Sequence, residues 1–449
     1  MNKSFIYQIL PRLWRDGRLS SIDDAFLRHL RSLGLDYVWF TGIPRHATGE
    51  PFVKGNPGSP YAVCDWYDVN PYLASDPEKR MEEFDALVRR THDAGLKCII
   101  DCIPNHVACN YEGRLKAHTW CDGDWTDTRK LDWSDPATAS EMIRILRFWA
   151  DRGVDGFRCD MVELVPAEML AGVIAAVKRT HPGLIFIAEA YERGNYRHLA
   201  QETGFDLLYD KSGEYDILRG ILDGSRSARE LSWNWQFLGD LQPRMLNFLE
   251  NHDEQRLCSD AFAGSPGRTW AALAFAMLFN TASFLLYAGQ EAGERASESS
   301  DGRTSIFNFC KPASLEWLSA FVQGAGAASS GSGRRKKTAS SKSPEGPETE
   351  VLERYHRLIA LAREPLFSEG RWWDLCYCNG PADGFNADRH FVFARFLEGE
   401  ARLVFCNFSP TAASACIRIP SELAEAAGRE LPPAVSVSAP AYDYSIVNL

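Results

Sequence analysis

The sequence predicts a parallel β/α fold followed by a small antiparallel β-domain. Three observations carry that prediction. Short apolar runs alternate with helix-patterned segments through most of the 449 residues. Several of those runs end in polar, ionisable clusters. From Trp372 onward the pattern changes to short strands at 390–396, 401–408 and 415–419.

The strand-like runs in the first part are 5–10, 37–41, 98–102, 156–159, 184–188, 207–209, 245–249 and 284–287. Between the first two, Phe26, Leu27, Leu30 and Leu33 share one helical face that Gly34 ends. A second helix starts behind Pro77 and stops before Gly95, with Phe84, Leu87 and Val88 inward. A third, 137–152, buries Met142, Ile145, Leu146 and Trp149. Residues 107–136 show no helix but several Trp, Asp, Gly and Cys residues, which reads as a long functional loop. The tract 324–347 is rich in Gly, Ala and Ser around Arg334-Arg335-Lys336-Lys337, a composition that reads as a disordered surface loop. A helix over 351–363 resumes the fold.

The chemistry concentrates at four strand ends. Gly156-Phe157-Arg158-Cys159-Asp160 places an arginine and a carboxylate two positions apart. Side chains alternate along a strand, so the two share a face and touch. That contact lowers the acid's pKa and keeps it ionised, the state a carboxylate nucleophile needs. The other three ends are Asp101-Cys102-Ile103-Pro104-Asn105-His106, Ile187-Ala188-Glu189 and Asn251-His252-Asp253. One polar strand end is common; four, each carrying an acid, suggest a single mouth lined by carboxylates. Glu189 follows an apolar run and has no cation adjacent in sequence. Apolar surroundings raise a carboxyl pKa and suit an acid/base.

In this order the four clusters resemble the α-amylase family, glycoside hydrolase family 13. Tyr7-Gln8 at the end of the first strand, Tyr61 ahead of Asp65-Trp66-Tyr67-Asp68-Val69, and Leu285-Leu286-Tyr287-Ala288-Gly289-Gln290-Glu291 support the resemblance. It covers roughly residues 4–310. It implies a (β/α)8 TIM barrel over 1–365, with 107–136 as a short insertion after the third strand. A C-terminal β-sandwich-like domain over 370–449 is implied as well. The resemblance further implies Asp160 as nucleophile, Glu189 as acid/base and Asp253 as the third acid that holds the sugar in its transition state. Tyr61, His106, Arg158 and His252 match family residues that bind the same sugar. Trp66, Trp120, Trp125 and Trp133 lie in expected loops and are candidate sugar platforms.

Composition limits the partners. A net charge of -11 argues against nucleic acid, and no run approaches the ~18 apolar residues of a membrane span. The start of the chain lacks the apolar stretch of a secretory signal, and the 12 cysteines sit largely in apolar runs. A cytoplasmic enzyme with free thiols is the expectation. No cofactor is required by this reading.

Calcium is the alternative, because the family's calcium-dependent members use the asparagine matching Asn105 as a ligand. Against it, Met161-Val162-Glu163 replaces the lysine-histidine pair often found after the nucleophile, and Arg15-Asp16-Gly17-Arg18 replaces the acidic loop after the first strand. Asp122, Asp124 and Asp127 are the remaining oxygen donors nearby. The expected activity is retaining hydrolysis of α-1,4-linked glucans or maltooligosaccharides. An α-glucanotransferase or glucosyl isomerase using the same residues, and a non-catalytic binding barrel, are the alternatives.

Overall fold

The computed structural model describes residues 3–123, 125–329 and 346–449, and the side chains of all of these but 325–329. Eight strands form a closed, wholly parallel barrel in sequential order: β1 (Phe5–Ile9), β2 (Tyr37–Phe40), β3 (Lys97–Cys102), β4 (Gly156–Cys159), β5 (Ile185–Ala188), β6 (Leu207–Tyr209), β7 (Met245–Asn247) and β8 (Ser283–Tyr287). Apart from Lys97 every strand residue is buried. Parallel strands are covered on both faces, which is why they read as continuous apolar runs rather than alternating ones. The seventh run was expected over 245–249, yet its ladder stops at Asn247; Phe248 and Leu249 continue as core without pairing.

The helices form where the sequence places them. Helix α1 (Asp24–Ser32) is capped by the Asp23 carboxylate, which accepts from Phe26 N at 2.9 Å. Gly34 then turns the chain at φ +93°, where a β-carbon would lie 3.0 Å from Arg363. Helix α2 (Arg80–Asp93) starts after a 3-10 turn over Pro77–Lys79, and Asp135 caps α3 (Pro136–Asp151). Further helices are α4 (Ala167–Lys178), α5 (Asp216–Asp223), α6 (Arg229–Leu238) and α7 (Trp270–Leu278). All nine residues of α7 are buried, because it lies between the barrel and the C-terminal sheet; Phe275 meets Phe391 at 4.9 Å.

Two expectations change here. Helix α8 (Ala313–Ser329) runs through Gly324, and Pro347 opens α9 (Pro347–Ala362). The expected surface loop over 324–347 therefore begins and ends in helix, and its residues 330–345 lie outside the described residues. The Ala-rich stretch after Gly324 favours helix strongly enough to extend α8, and proline suits the first turn of α9. Trp66, expected in a loop, sits 1% exposed in the strand Val63–Val69, which pairs with Pro44–His46. Trp149 Nε1 donates to the Trp66 carbonyl at 2.9 Å, so this tryptophan is core and not a platform.

The C-terminal part holds β9 (Arg371–Asp374), β10 (His390–Leu397), β11 (Glu400–Asn407), β12 (Ala413–Arg418), β13 (Ala434–Ala439) and β14 (Tyr444–Asn448). Strands β9, β10, β11 and β14 make one antiparallel sheet, and β12 and β13 a second. Val392, Leu403 and Phe405 of the first sheet share a separate apolar core with Ile417 and Val437 of the second.

Candidate active site

The parallel ladder sets the level of the reactive groups. Cys102 is paired with Cys159, and Cys159 with Ala188. The ladder continues one residue further: Asp160 N donates to the Cys102 carbonyl at 2.8 Å, and Glu189 N to the Cys159 carbonyl at 3.0 Å. Asp160 and Glu189 therefore leave neighbouring strands at one level, at the C-terminal mouth where barrel enzymes collect their reactive groups.

Arg158 lies between them, wholly buried. Its Nη1 is 2.7 Å from Asp160 Oδ1, the contact that strand alternation predicts. Its Nη2 is 2.6 Å from Glu189 Oε1 and 3.8 Å from Asp253 Oδ2, and Asp101 lies 3.9 Å from Nη1. The expectation that Glu189 has no cation beside it is thus corrected. Register brings Arg158 to it from the next strand, which no local spacing reveals. The rings of Trp39, Tyr61 and Tyr209 surround the guanidinium at 5.3–5.6 Å.

Four carboxyl groups around one guanidinium leave a surplus of negative charge. Burial pushes Asp160, Glu189, Asp253 and Asp101 above the ordinary carboxylate range, Asp101 to about 7, while Arg158 pulls each back. For Asp160 this reverses the expected direction. Arg158 opposes the rise without cancelling it, because desolvation is the larger effect. Asp160 accepts a hydrogen bond from Arg158 Nη1 at 2.7 Å, while Glu189 Oε1 lies 2.6 Å from Nη2, so the two acids share the guanidinium's charge.

Glu189 is held by two further donors. Its Oε2 accepts from Met161 N at 2.7 Å, and its Oε1 from the Tyr191 hydroxyl at 2.8 Å. Met161 takes a left-handed φ of +46°, a costly conformation for a residue with a side chain. That turn aims its N–H back at Glu189. Glu163 in turn accepts from Tyr191 N at 2.9 Å.

The remaining predicted residues converge on the same mouth. His252 Nε2 lies 2.5 Å from Tyr61 Oη and 3.0 Å from Asp253 Oδ2, while Gln8 Nε2 lies 2.7 Å from its Nδ1. Burial pushes the His252 imidazole well down, and His106 down to about 4, so both are neutral hydrogen-bonding groups near neutral pH. Trp125 tilts against His106 at 5.3 Å, and Trp120 is 52% exposed. Trp133 is buried, with Nε1 donating to the Pro104 carbonyl at 2.8 Å, and is no platform. Four residues of this cluster were not predicted as site residues: Trp39, Asp101, Tyr191 and Tyr209. Asp101 carried the clearest signal, as the acid that opens the strand-end cluster with Asn105 and His106.

The insertion after β3 pairs His106–Ala108 with Thr128–Lys130. This brings Lys130 Nζ to 2.9 Å from Asp122 Oδ1, and Asp122 Oδ2 accepts from Asn105 Nδ2 at 2.9 Å. Among the described residues, buried Asn105 Oδ1 has no partner. A calcium ion takes 6–8 oxygen ligands; here an ammonium group already faces Asp122, and Asn105 presents nitrogen to it. Asp127 pairs with Lys54 at 3.8 Å, and Asp124 lies outside the described residues. Among the described residues no three His, Cys, Asp or Glu side chains cluster as a metal site. Of the expected oxygen donors that are described, Asp122 and Asp127 are each paired with a lysine.

The α-amylase catalytic-domain model matches residues 120–182, the segment that contains Arg158 and Asp160. Residues 120–182 are an α-amylase-family catalytic-domain segment. Among its α-amylase-family relatives is the trehalose-6-phosphate hydrolase of Escherichia coli (strain K12), 30% identical over 207 residues, 36% of this chain and 35% of that protein. The α-amylase MalA of Haloarcula japonica is 28% identical over 328 residues, 65% of this chain and 44% of that one. The chain spans 26–49% of the length of its first four curated relatives. A maltogenic α-amylase structure from Thermotoga neapolitana shares the fold at TM-score 0.70 and 21% identity, covering 99% of this chain and 96% of that one.

Proposed function

We propose that this protein is a retaining α-glycoside hydrolase acting on α-1,4-linked glucans or maltooligosaccharides. The observation that carries the reading is the single guanidinium of Arg158 bridging Asp160 and Glu189 at the mouth of the barrel. Such a pair supplies a nucleophile and a proton donor to the same glycosidic bond.

In the first step an Asp160 oxygen bonds to the anomeric carbon as the bond to the leaving oxygen breaks. The Glu189 proton passes to that oxygen. The negative charge of Asp160 is one of the causes that raise the Glu189 pKa. Once Asp160 is esterified that charge is gone, the Glu189 pKa falls, and the carboxylate becomes the base for an incoming water. Water then displaces Asp160 and restores the starting configuration. Asp253, a third exposed in its side chain, faces the same space beside His252 and supplies hydroxyl contacts. Relatives named for hydrolysis of trehalose 6-phosphate, for α-amylase activity and for maltosyl transfer fit an α-glucosidic substrate class.

NMR of the first product formed from maltooligosaccharides tests the mechanism. The α-anomer is expected first; an initial β-anomer overturns the retaining assignment. Transfer products in excess over free sugar would assign the same residues to an α-glucanotransferase.

A further inference from the structure

Gln8 is wholly buried in β1, level with Trp39 of β2 and Tyr287 of β8. Side chains alternate along a strand. Tyr7 packs against Phe26 of α1, outside the barrel, at 6.0 Å, so Gln8 points into the barrel. There its amide nitrogen Nε2 meets two partners, Thr41 Oγ1 at 3.0 Å and His252 Nδ1 at 2.7 Å. Among the described residues, buried Gln8 Oε1 has no partner.

An amide nitrogen only donates, so Nδ1 of the neutral His252 ring accepts and the ring's proton sits on Nε2. The far side of the ring agrees. Nε2 lies 2.5 Å from Tyr61 Oη and 3.0 Å from Asp253 Oδ2. The Tyr61 hydroxyl donates to Asp101 Oδ1 at 3.4 Å, which leaves its oxygen to accept. Arg158 Nη2, 3.8 Å from Asp253 Oδ2, favours the charged, accepting form of that carboxyl. With the amide reversed, a lone pair on Nε2 would face two accepting oxygens.

The arrangement has a cost. An unmet buried carbonyl is destabilising, and a glutamine chosen for stability alone would be satisfied at both ends. What the side chain secures is direction. Trp39 meets the His252 ring edge-on at 5.5 Å and 89° and fixes its plane, while Gln8 fixes which nitrogen carries the proton. His252 then donates to Asp253, whose side chain is a third exposed.

We propose that Gln8 is a positioning residue for the reaction: its amide donates to His252 Nδ1, fixes the Nε2–H tautomer and thereby aims the Asp253 carboxyl at the bound sugar. The proposal rests on the glycosidase reading given above.

Nitrogen NMR of histidine-labelled protein locates the proton, with the His252 resonances assigned by their absence from a His252→Asn variant. Nε2 protonated and Nδ1 unprotonated is the expected pattern; a proton on Nδ1 overturns the proposal. This measurement needs neither substrate nor a Gln8 variant, so it decides even where Gln8→Met does not fold. Gln8→Met keeps the length of the side chain and removes the donor. On maltooligosaccharides it should lower kcat by about tenfold to a hundredfold and leave KM within about twofold. In the His252→Asn background the same substitution should cost less than about twofold, since the group it acts through is gone. An equal loss in both backgrounds, or a Gln8→Met variant with unchanged kcat, gives Gln8 a purely structural part and overturns the proposal. If the parent turns over no α-glucoside while Nδ1 is unprotonated, the hydrogen-bond assignment stands and the reading of the catalytic centre falls.

Discussion

The Tyr191 hydroxyl donates a 2.8 Å hydrogen bond to Glu189 Oε1, two residues before it in the chain. The bond favours the ionised carboxylate and so holds the Glu189 pKa down against burial and the charge of Asp160. Tyr191→Phe should therefore raise that pKa and move the alkaline limb of the pH–activity profile upward. Turnover should fall on the order of tenfold as the acid/base loses a positioning contact. A profile whose alkaline limb stays in place would show that the hydroxyl only packs.

Asp160→Asn should abolish turnover, by at least about 10³-fold, with the fold intact, because an amide keeps the shape and is a poor nucleophile. Glu189→Gln should spare substrates with good leaving groups, which need little protonation. Comparing p-nitrophenyl maltoside with maltooligosaccharides for each variant separates the two roles. Equal losses on both substrates for Glu189→Gln would remove it from the acid role.

Asp101 sits in the same cluster with its pKa raised from 3.8 to about 7 by burial. The folded protein binds this proton more tightly than the unfolded chain. Its stabilising contribution is therefore full below about pH 4 and is lost as pH rises through about 7. Asp101→Asn carries no such penalty. Its melting temperature should gain on the parent's between pH 4 and pH 8, by on the order of 2 °C. Thermal unfolding across that window checks this, and a difference that does not change with pH refutes it.

Lys130 facing Asp122 leads to a prediction about calcium. Activity should survive dialysis against a chelator within about twofold, with no recovery on adding calcium. Lys130→Met should destabilise the protein by on the order of 1 kcal/mol, since the ion pair is only partly buried. A large loss on chelation that calcium restores would establish a true metal site involving Asn105.

Much of the architecture was legible because it is written locally. The runs at 156–159 and 207–209 match β4 and β6 residue for residue, since a strand covered on both faces must be apolar throughout. Gly34 marks the end of α1 through its own backbone conformation. The contact between Arg158 and Asp160 follows from alternation along a single strand.

The linear pattern of residues specifies this local layer: the apolar runs, the helix faces, and the acids at the strand ends. Tertiary structure alone decided which of those groups meet. Barrel closure and register carried Arg158 to Glu189, Trp39 and Tyr209 to the same guanidinium, and Lys130 to Asp122. It also sank Trp66 into the core and left Trp233 in water. The reason is physical. Periodicity specifies which face of an element a residue occupies, whereas its partner across a gap depends on how every element packs at once.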